Sequence, residues 1–198
     1  MPKIITEHER EQTKNAIMKS TKQFIQAKKG IKNITVDDII KSVGVGKSSF
    51  YSCFNSKEEC IYEVIEKSQI GLSNHFETIM QTSQPRKEKI IRFLRDVYLA
   101  EDSISNYISS NDMAILLRKL PPEYNERAEK ISDRIMTNTM KLLNLSMIQT
   151  ETITVLLDCI DRIVTYIAIS KQAKEDALNT LILSITEYVD KNSEVQTK

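Results

Sequence analysis

Glycine and proline are both scarce in this chain of 198 residues, with four of each. A fold built from many short strands needs these residues at its turns, so their scarcity argues against a loop-rich β protein. Helix-forming Lys, Glu, Gln, Leu, Met and Ala instead recur with apolar residues three and four positions apart, while alternating runs are rare. The sequence therefore predicts an all-α fold.

Cysteine is also rare and shows no pairing pattern. Cys53, Cys60 and Cys159 form an odd set without Cys-x-x-Cys spacing, and the N-terminus does not resemble a secretion signal. A secreted disulfide framework is therefore not expected, and we expect reduced thiols in the cytoplasm. Long apolar runs are missing too, since the most apolar stretch, Ile163 to Ile169, is seven residues long. A membrane span is not expected.

Patterns for catalysis or metal binding are weak. His8 and His75 are the only histidines in the sequence, and no cysteine pair has the spacing of metal ligands. The run from Gly44 to Ser48 imitates the end of a phosphate-binding loop, but Lys41 stands where that loop requires its first glycine. The acidic residues lie on polar helical faces without a catalytic signature. We expect no enzyme activity, no metal site and no cofactor.

Charge is unevenly distributed along the chain. The net charge is +1, but the segment from Arg10 to Lys57 contains ten Lys or Arg residues and three acidic ones, a net charge of +7. The remaining residues carry 18 basic and 24 acidic groups, a net charge of −6. A basic segment is typical of a nucleic-acid-binding module, because neutralising phosphates supplies most sequence-independent affinity. Charge alone leaves the alternative of ordinary solvated helix faces open.

The segment from Thr35 to Glu59 has the pattern of two helices joined by a tight turn. Thr35 is a suitable N-cap, and four apolar residues follow it at helical spacing. Gly44 can adopt the left-handed conformation that ends a helix, and Val45 supplies an apolar anchor in the turn. A second helix is predicted from Lys47 to Phe54, with its two phenylalanines facing inward. Its outward residues are one lysine and three hydroxylic residues: Lys47, Ser48, Tyr51 and Ser52. This arrangement predicts a helix-turn-helix DNA-binding unit.

At these residues the sequence resembles the TetR family of bacterial transcription regulators. The positions that match the family pattern are spread over the whole unit: Thr35, Ile39, Gly44, Val45, Tyr51, Phe54, Ser56, Lys57 and Glu58. The departures from it are Ile40, Val43, Gly46, Ser48 and Cys53. The specific match covers about residues 10 to 60. The resemblance implies a three-helix DNA-binding head, residues 1–56, and a larger helical domain for dimerisation and effector sensing, residues 57–198.

Both the resemblance and physical chemistry suggest roles for individual residues. By resemblance, the positions that commonly touch the DNA backbone are Thr35, Tyr51, Cys53 and Lys57, and those near base edges are Lys47 and Ser48. Hydroxyl groups suit phosphate oxygens, Lys47 can reach guanine acceptors, and Gly46 lets the backbone come close. The Cys53 thiol is only a weak donor. The predicted DNA-binding set is Thr35, Val45, Gly46, Lys47, Ser48, Ser49, Tyr51, Ser52, Cys53 and Lys57.

Two strongly apolar helices are predicted near the C-terminus, within about residues 149–190. Their apolar positions are Ile153, Leu156, Leu157, Ile160, Ile163, Val164 and Ile167, then Leu178, Leu181, Ile182, Ile185, Tyr188 and Val189. One helical body could bury both stripes, or they could form a seam between two copies. The resemblance favours a homodimer through these helices. The tail beyond Asp190 is polar and predicted to fray.

The expected function is sequence-specific DNA binding by a dimeric transcription regulator that recognises a palindromic operator. The resemblance implies release by a small-molecule effector, or control by a protein co-regulator, and the identity of either is unknown. Repression is the commoner mode in the family, and activation stays open because these residues do not distinguish the two. A helical protein-interaction adaptor or a small enzyme is the alternative of a different class.

Overall fold

The computed structural model describes residues 6–27, 30–101, 103–165 and 169–193. Within these residues the chain forms nine α-helices and one short 3-10 turn, and no strand. The helices are α1 (Glu7–Ala27), α2 (Val36–Val43), α3 (Lys47–Tyr51), α4 (Lys57–Met80), α5 (Arg86–Tyr98), α6 (Ser110–Leu117), α7 (Glu123–Leu143), α8 (Met147–Thr165) and α9 (Lys171–Ser193). The 3-10 turn is Ile104–Asn106. The predicted all-α fold is confirmed.

The three N-terminal helices pack around two phenylalanines. The Phe50 and Phe54 side chains are buried, and their ring centroids lie 5.6 Å apart. Burying one such side chain stabilises a fold by about 1.5–3 kcal/mol. The predicted helix from Lys47 to Phe54 is too long, because α3 ends at Tyr51. Ser52 follows as its C-cap and its hydroxyl donates to the Ser49 carbonyl oxygen at 2.8 Å, a local bond that competes with continued helix.

Helix α4 runs from the head into the body. Ser56 caps it by accepting a hydrogen bond from the Glu59 amide at 3.0 Å. With 24 residues, α4 is about 36 Å long. Ile61 and Val64 in its first half pack in the head core, whereas Phe76 in its second half packs in the body core. Helix α4 therefore contributes to both the head core and the body core.

The core around the head also contains residues from later in the chain. Ile104, Leu116 and Leu120 pack in the same cluster as Ile17 and Phe50. The head is therefore fixed on the body by apolar contact as well as by the continuous helix α4. The division of the chain at residues 56 and 57 stays a prediction, although α4 does begin at Lys57.

The last two helices form an antiparallel pair. The Gln149 side-chain amide donates to the Asn192 side-chain oxygen at 3.2 Å, and the Lys174 amine donates to the Val164 carbonyl oxygen at 2.8 Å. The prediction of a frayed tail beyond Asp190 is wrong for the next three residues. Helix α9 continues to Ser193, because the buried Ser193 hydroxyl donates to the Leu143 carbonyl oxygen at 2.8 Å.

Two further predictions concern the position of Ile167 and the absence of a membrane-spanning helix. Ile167, which was assigned to the apolar stripe of α8, lies outside the described residues. In the described part of the chain, no helix is both long enough and apolar enough to cross a bilayer.

Candidate nucleic-acid interface and body cavity

The turn between α2 and α3 is closed by backbone hydrogen bonds. Gly44 has φ +75°, and its amide donates to the Ile40 carbonyl oxygen at 2.9 Å. The Val45 amide donates to the same oxygen at 3.1 Å. At the other end of α2, the Thr35 hydroxyl oxygen accepts from the Asp38 amide at 3.1 Å. Glycine is favoured at the left-handed position because other residues strain there, and Gly44 therefore permits the sharp turn between α2 and α3.

Helix α3 presents the polar face that the sequence predicts. Gly46 is its N-cap and offers no capping side chain, and the Ser49 amide donates to the Gly46 carbonyl oxygen at 3.1 Å, so the amides of Lys47 and Ser48 are the ones left for an external acceptor. Lys47 and Ser48 are exposed in this turn, and Tyr51 is 53% exposed at the end of the helix. None of the ten residues predicted to bind DNA is buried. The exposed ones are Thr35, Gly46, Lys47, Ser48, Tyr51 and Ser52, and the half-buried ones are Val45, Ser49, Cys53 and Lys57.

Lys47 forms an ion pair with an acidic residue that is not among the predicted DNA-binding residues. Its amine lies 2.9 Å from an Asp37 carboxylate oxygen, and both side chains are exposed. The hydrogen bond to Asp37 is the main cause that raises the pKa of Lys47, so the lysine keeps its charge. Asp37 lies in the first turn of α2, where an acid is expected for the helix dipole alone. Only the approach of α3 makes it a partner of Lys47.

Residues that flank α3 differ in how freely they can reach a ligand. The Tyr51 ring packs edge-on against Phe50 at 5.4 Å between centroids, which fixes its direction. The Cys53 sulfur lies 3.9 Å from the Arg10 carbonyl oxygen of α1 and packs against the head core. Lys57 is the first residue of α4, and its amine is 3.9 Å from a Glu58 carboxylate oxygen. Cys53 therefore faces the head more than Tyr51 or Lys57 does.

The Cys60 thiol belongs to the head core. It is fully buried and lies 3.3 Å from the Thr21 hydroxyl. Burial raises the pKa of this thiol to about 12. Because the thiolate is the reactive form, Cys60 is an inert packing residue near neutral pH.

A cavity of about 260 Å³ lies in the body between α4, α5, α7, α8 and α9. No charged side chain lines it, and its polar lining residues apart from Tyr98 are Gln69, Ser73, Ser105 and Thr139. Phe76 and Phe93 form an aromatic wall, with ring centroids 4.8 Å apart. Burial is the main cause that raises the pKa of Tyr98, ahead of the charges of Asp161 and Asp158, so its hydroxyl stays protonated. Periodicity gave no signal for this cavity, because pocket and core residues share the same helical spacing.

Comparison with known proteins identifies the head. Residues 22–64 match the family described as bacterial regulatory proteins, tetR family. The crystal structure of E. coli NemR in its reduced form is similar in fold, with a TM-score of 0.62 and 13% sequence identity. That similarity covers 91% of this chain and 96% of the other, and at this identity it describes the fold alone. No curated protein matches the sequence. The matched segment contains α2, α3 and the turn between them, and the head therefore contains a DNA-binding domain of the kind that this family model describes.

Proposed function

We propose that this protein is a homodimeric repressor that leaves its operator when a small molecule enters the body cavity. The observation that carries the proposal is the course of α4. This helix begins at Lys57 beside the DNA-binding face and later supplies Leu72 and Phe76 to the cavity wall. A ligand that displaces this wall would shift a rigid helix attached to the head, and the shift would reach α3.

The DNA-binding part of the proposal rests on the outer face of α3. Lys47, Ser48 and Tyr51 project from it, and the turn before it brings the Gly46 backbone to the surface. The hydroxyls and amides suit phosphate oxygens, and the lysine suits guanine acceptors in the major groove. Two heads in a dimer would address half-sites about one helical turn apart, which favours a palindromic operator.

The dimer part of the proposal rests on apolar residues that the protomer leaves exposed. On α8, Ile148 is 75% exposed and Val155 is 62% exposed, and their separation of seven positions places both on one face. Leu183 on the neighbouring helix α9 is 47% exposed. The inward stripes of both helices pack in the body core, so these outward residues form a second apolar face. A second copy of the chain would cover it with its own α8 and α9.

Selection from a random pool of DNA duplexes by the purified protein tests the proposal, at low and moderate salt. We expect a palindromic motif whose affinity falls steeply with salt. A screen of small neutral apolar compounds on the selected duplex should then yield some that release the protein. Salt-sensitive binding without any motif would contradict sequence-specific recognition. Compounds that only strengthen binding would contradict the release mechanism and favour a ligand-dependent activator.

Two lysine substitutions are expected to separate backbone contact from base reading. Lys57→Ala should weaken binding to all duplexes and lower the slope of log affinity against log salt by about 1. Lys47→Ala should instead reduce the preference for the selected motif by about fivefold or more. Fluorescence anisotropy with the motif and a scrambled duplex, at several salt concentrations, measures both effects. Unchanged affinity in both variants would contradict this docking of α3.

Asp37 is expected to weaken DNA binding, because it occupies Lys47 and brings a negative charge close to phosphates. Asp37→Asn should raise affinity for the motif by about two- to fivefold at low salt. In the Lys47→Ala background the same substitution should have a smaller effect. An equal gain in both backgrounds would show that Asp37 acts through its own charge and does not act by holding Lys47.

A further inference from the structure

A second groove lies where the head meets the body, and it shares only Leu72 with the described lining of the body cavity. It has a volume of about 520 Å³ and is lined by α1, α4, the end of α5 and the start of the 3-10 turn. Its floor is apolar, and its rim is polar and basic. The apolar residues are Met18, Val64, Leu72 and Ile104, and the lysines are Lys19, Lys22 and Lys67.

The lysines of this groove are not neutralised by carboxylates. No described residue forms an ion pair with Lys19, Lys22 or Lys67, and the Lys67 amine donates to the neutral Asn15 side-chain oxygen at 3.3 Å. Asp96 is the one carboxylate among the lining residues that the structure describes. The Asp96 carboxylate already contacts His75, whose ring nitrogen Nε2 lies 2.9 Å from the Asp96 oxygen Oδ2. The groove therefore keeps an excess of positive charge above an apolar floor.

These lysines are placed away from the DNA-binding face. Arg10 marks the end of α1 that touches the segment after α3, and Lys22 lies twelve residues further, about 18 Å along the helix axis. On α4, Lys67 lies about 15 Å along the helix axis from Lys57, the predicted phosphate contact. Lys67 is therefore separated from the predicted phosphate contact, and the experiment below includes DNA affinity as a test of these lysines.

One hydroxyl at the groove lacks a hydrogen-bond partner in the described part of the chain. The Ser103 side-chain oxygen is closed off from solvent and has no partner among the described residues. Such a group costs free energy unless something pairs with it. Gly71 adds room, because a Cβ built on it would meet no atom within 4 Å.

We propose that this groove binds a small organic anion, with an acidic group between the lysines and an apolar body on the floor. Charge-assisted hydrogen bonds from lysine to an oxyanion are stronger than neutral ones, and the apolar floor supplies the remaining affinity. The ligand would touch α1 of the head and Ser103 and Ile104 of the body at once. This proposal does not depend on the body cavity or on repression.

A pair of fluorescent probes with the same aromatic body tests it in the full-length protein. Anilinonaphthalene sulfonate carries one negative charge, and N-phenylnaphthylamine is its neutral counterpart. We expect one sulfonate bound per chain, and about tenfold weaker binding in the Lys19→Gln, Lys67→Gln double variant. The neutral probe should bind both proteins equally. The control is Lys130→Gln with Lys141→Gln, which removes the same charge from the exposed face of α7.

Three results would overturn the proposal. One is an equal loss of sulfonate binding in the two double variants, or no loss in either. Another is a loss of DNA affinity in the Lys19, Lys67 variant as large as that in Lys57→Ala, which would assign these lysines to DNA. The third comes from NMR spectra of the unsubstituted protein. If the proposal is right, the sulfonate shifts the signals of Gly71 and of the Asn15 side chain. Shifts confined to the body cavity or to α8 and α9 would place the probe elsewhere.

Discussion

Replacing Arg127 with alanine is expected to lower the free energy of unfolding by about 2–4 kcal/mol. The Arg127 guanidinium on α7 binds both carboxylate oxygens of Glu66 on α4, with 2.6 Å between Nε and Oε1. The Glu66 side chain is 9% exposed, so the substitution would leave a buried charge without its partner. Breaking a buried pair in this way costs about 3–5 kcal/mol, and the 47% exposure of Arg127 reduces the expected loss.

Aromatic contacts add to this loss. The Arg127 guanidinium carbon lies 5.6 Å from the Tyr62 ring centroid and 5.9 Å from that of Tyr124. The two tyrosine rings meet edge to face at 5.1 Å. Glu66 is also the main cause that raises the pKa of Arg127, which keeps the guanidinium charged. This cluster therefore fastens the helix that carries the head to the first two turns of α7.

Denaturant unfolding measures the effect, with Arg134→Ala as the matched control. Arg134 is an exposed arginine on the same helix, and its loss should change stability by less than about 0.5 kcal/mol. Adding Glu66→Leu to Arg127→Ala should restore most of the lost stability, because the buried charge is then gone. If the double variant is no more stable than Arg127→Ala, the loss comes from packing and not from an uncompensated carboxylate.

A glutamate at position 155 is expected to convert the protein into monomers and to reduce operator affinity by about a hundredfold or more. Val155 is 62% exposed on α8 and lies in the middle of the face that we propose as the dimer seam. At a two-fold interface each substitution places two charges in one apolar contact, and desolvating them costs several kcal/mol. A monomer also contacts one half-site only and loses the gain from binding two together.

Sedimentation and DNA binding should change together in this variant. Thr137→Glu adds the same charge on the exposed surface of α7 and should remain dimeric with normal affinity. Cys159 provides an independent readout, since it is exposed on the same helix in the single protomer. Its alkylation should be slow in the unsubstituted dimer and fast in Val155→Glu. A dimer that persists with Glu at position 155 would place the interface elsewhere.

The helix-turn-helix unit could be predicted because its signals are local. Thr35 at the N-cap, Gly44 at the left-handed C-cap and the four-residue spacing of Phe50 and Phe54 each act within one or two turns of helix. The error in the length of α3 has a local cause as well. The Ser52 hydroxyl bonds back to the Ser49 carbonyl and ends the helix before Phe54.

The two apolar helices near the C-terminus could be predicted, but the surfaces that their apolar residues contact could not. The apolar stripes predicted two apolar helices, which the structure shows as α8 and α9, and the apolar residues of these helices are divided between an inward core and an exposed outer face. A stripe wider than one contact surface gives no information on which part faces the protomer core. That division depends on where α5 and α9 pack, which is a tertiary property.

The sequence by itself determined the all-α fold, the basic head with its turn between α2 and α3, and the outward position of Lys47 and Tyr51. Only the tertiary structure decided that Asp37 holds Lys47, that Glu66 binds Arg127 across 61 residues, and that a cavity and a basic groove flank α4. The reason is physical. Helix formation follows from hydrogen bonds and apolar spacing within a few residues, whereas pairs and cavities arise from how distant helices pack against each other.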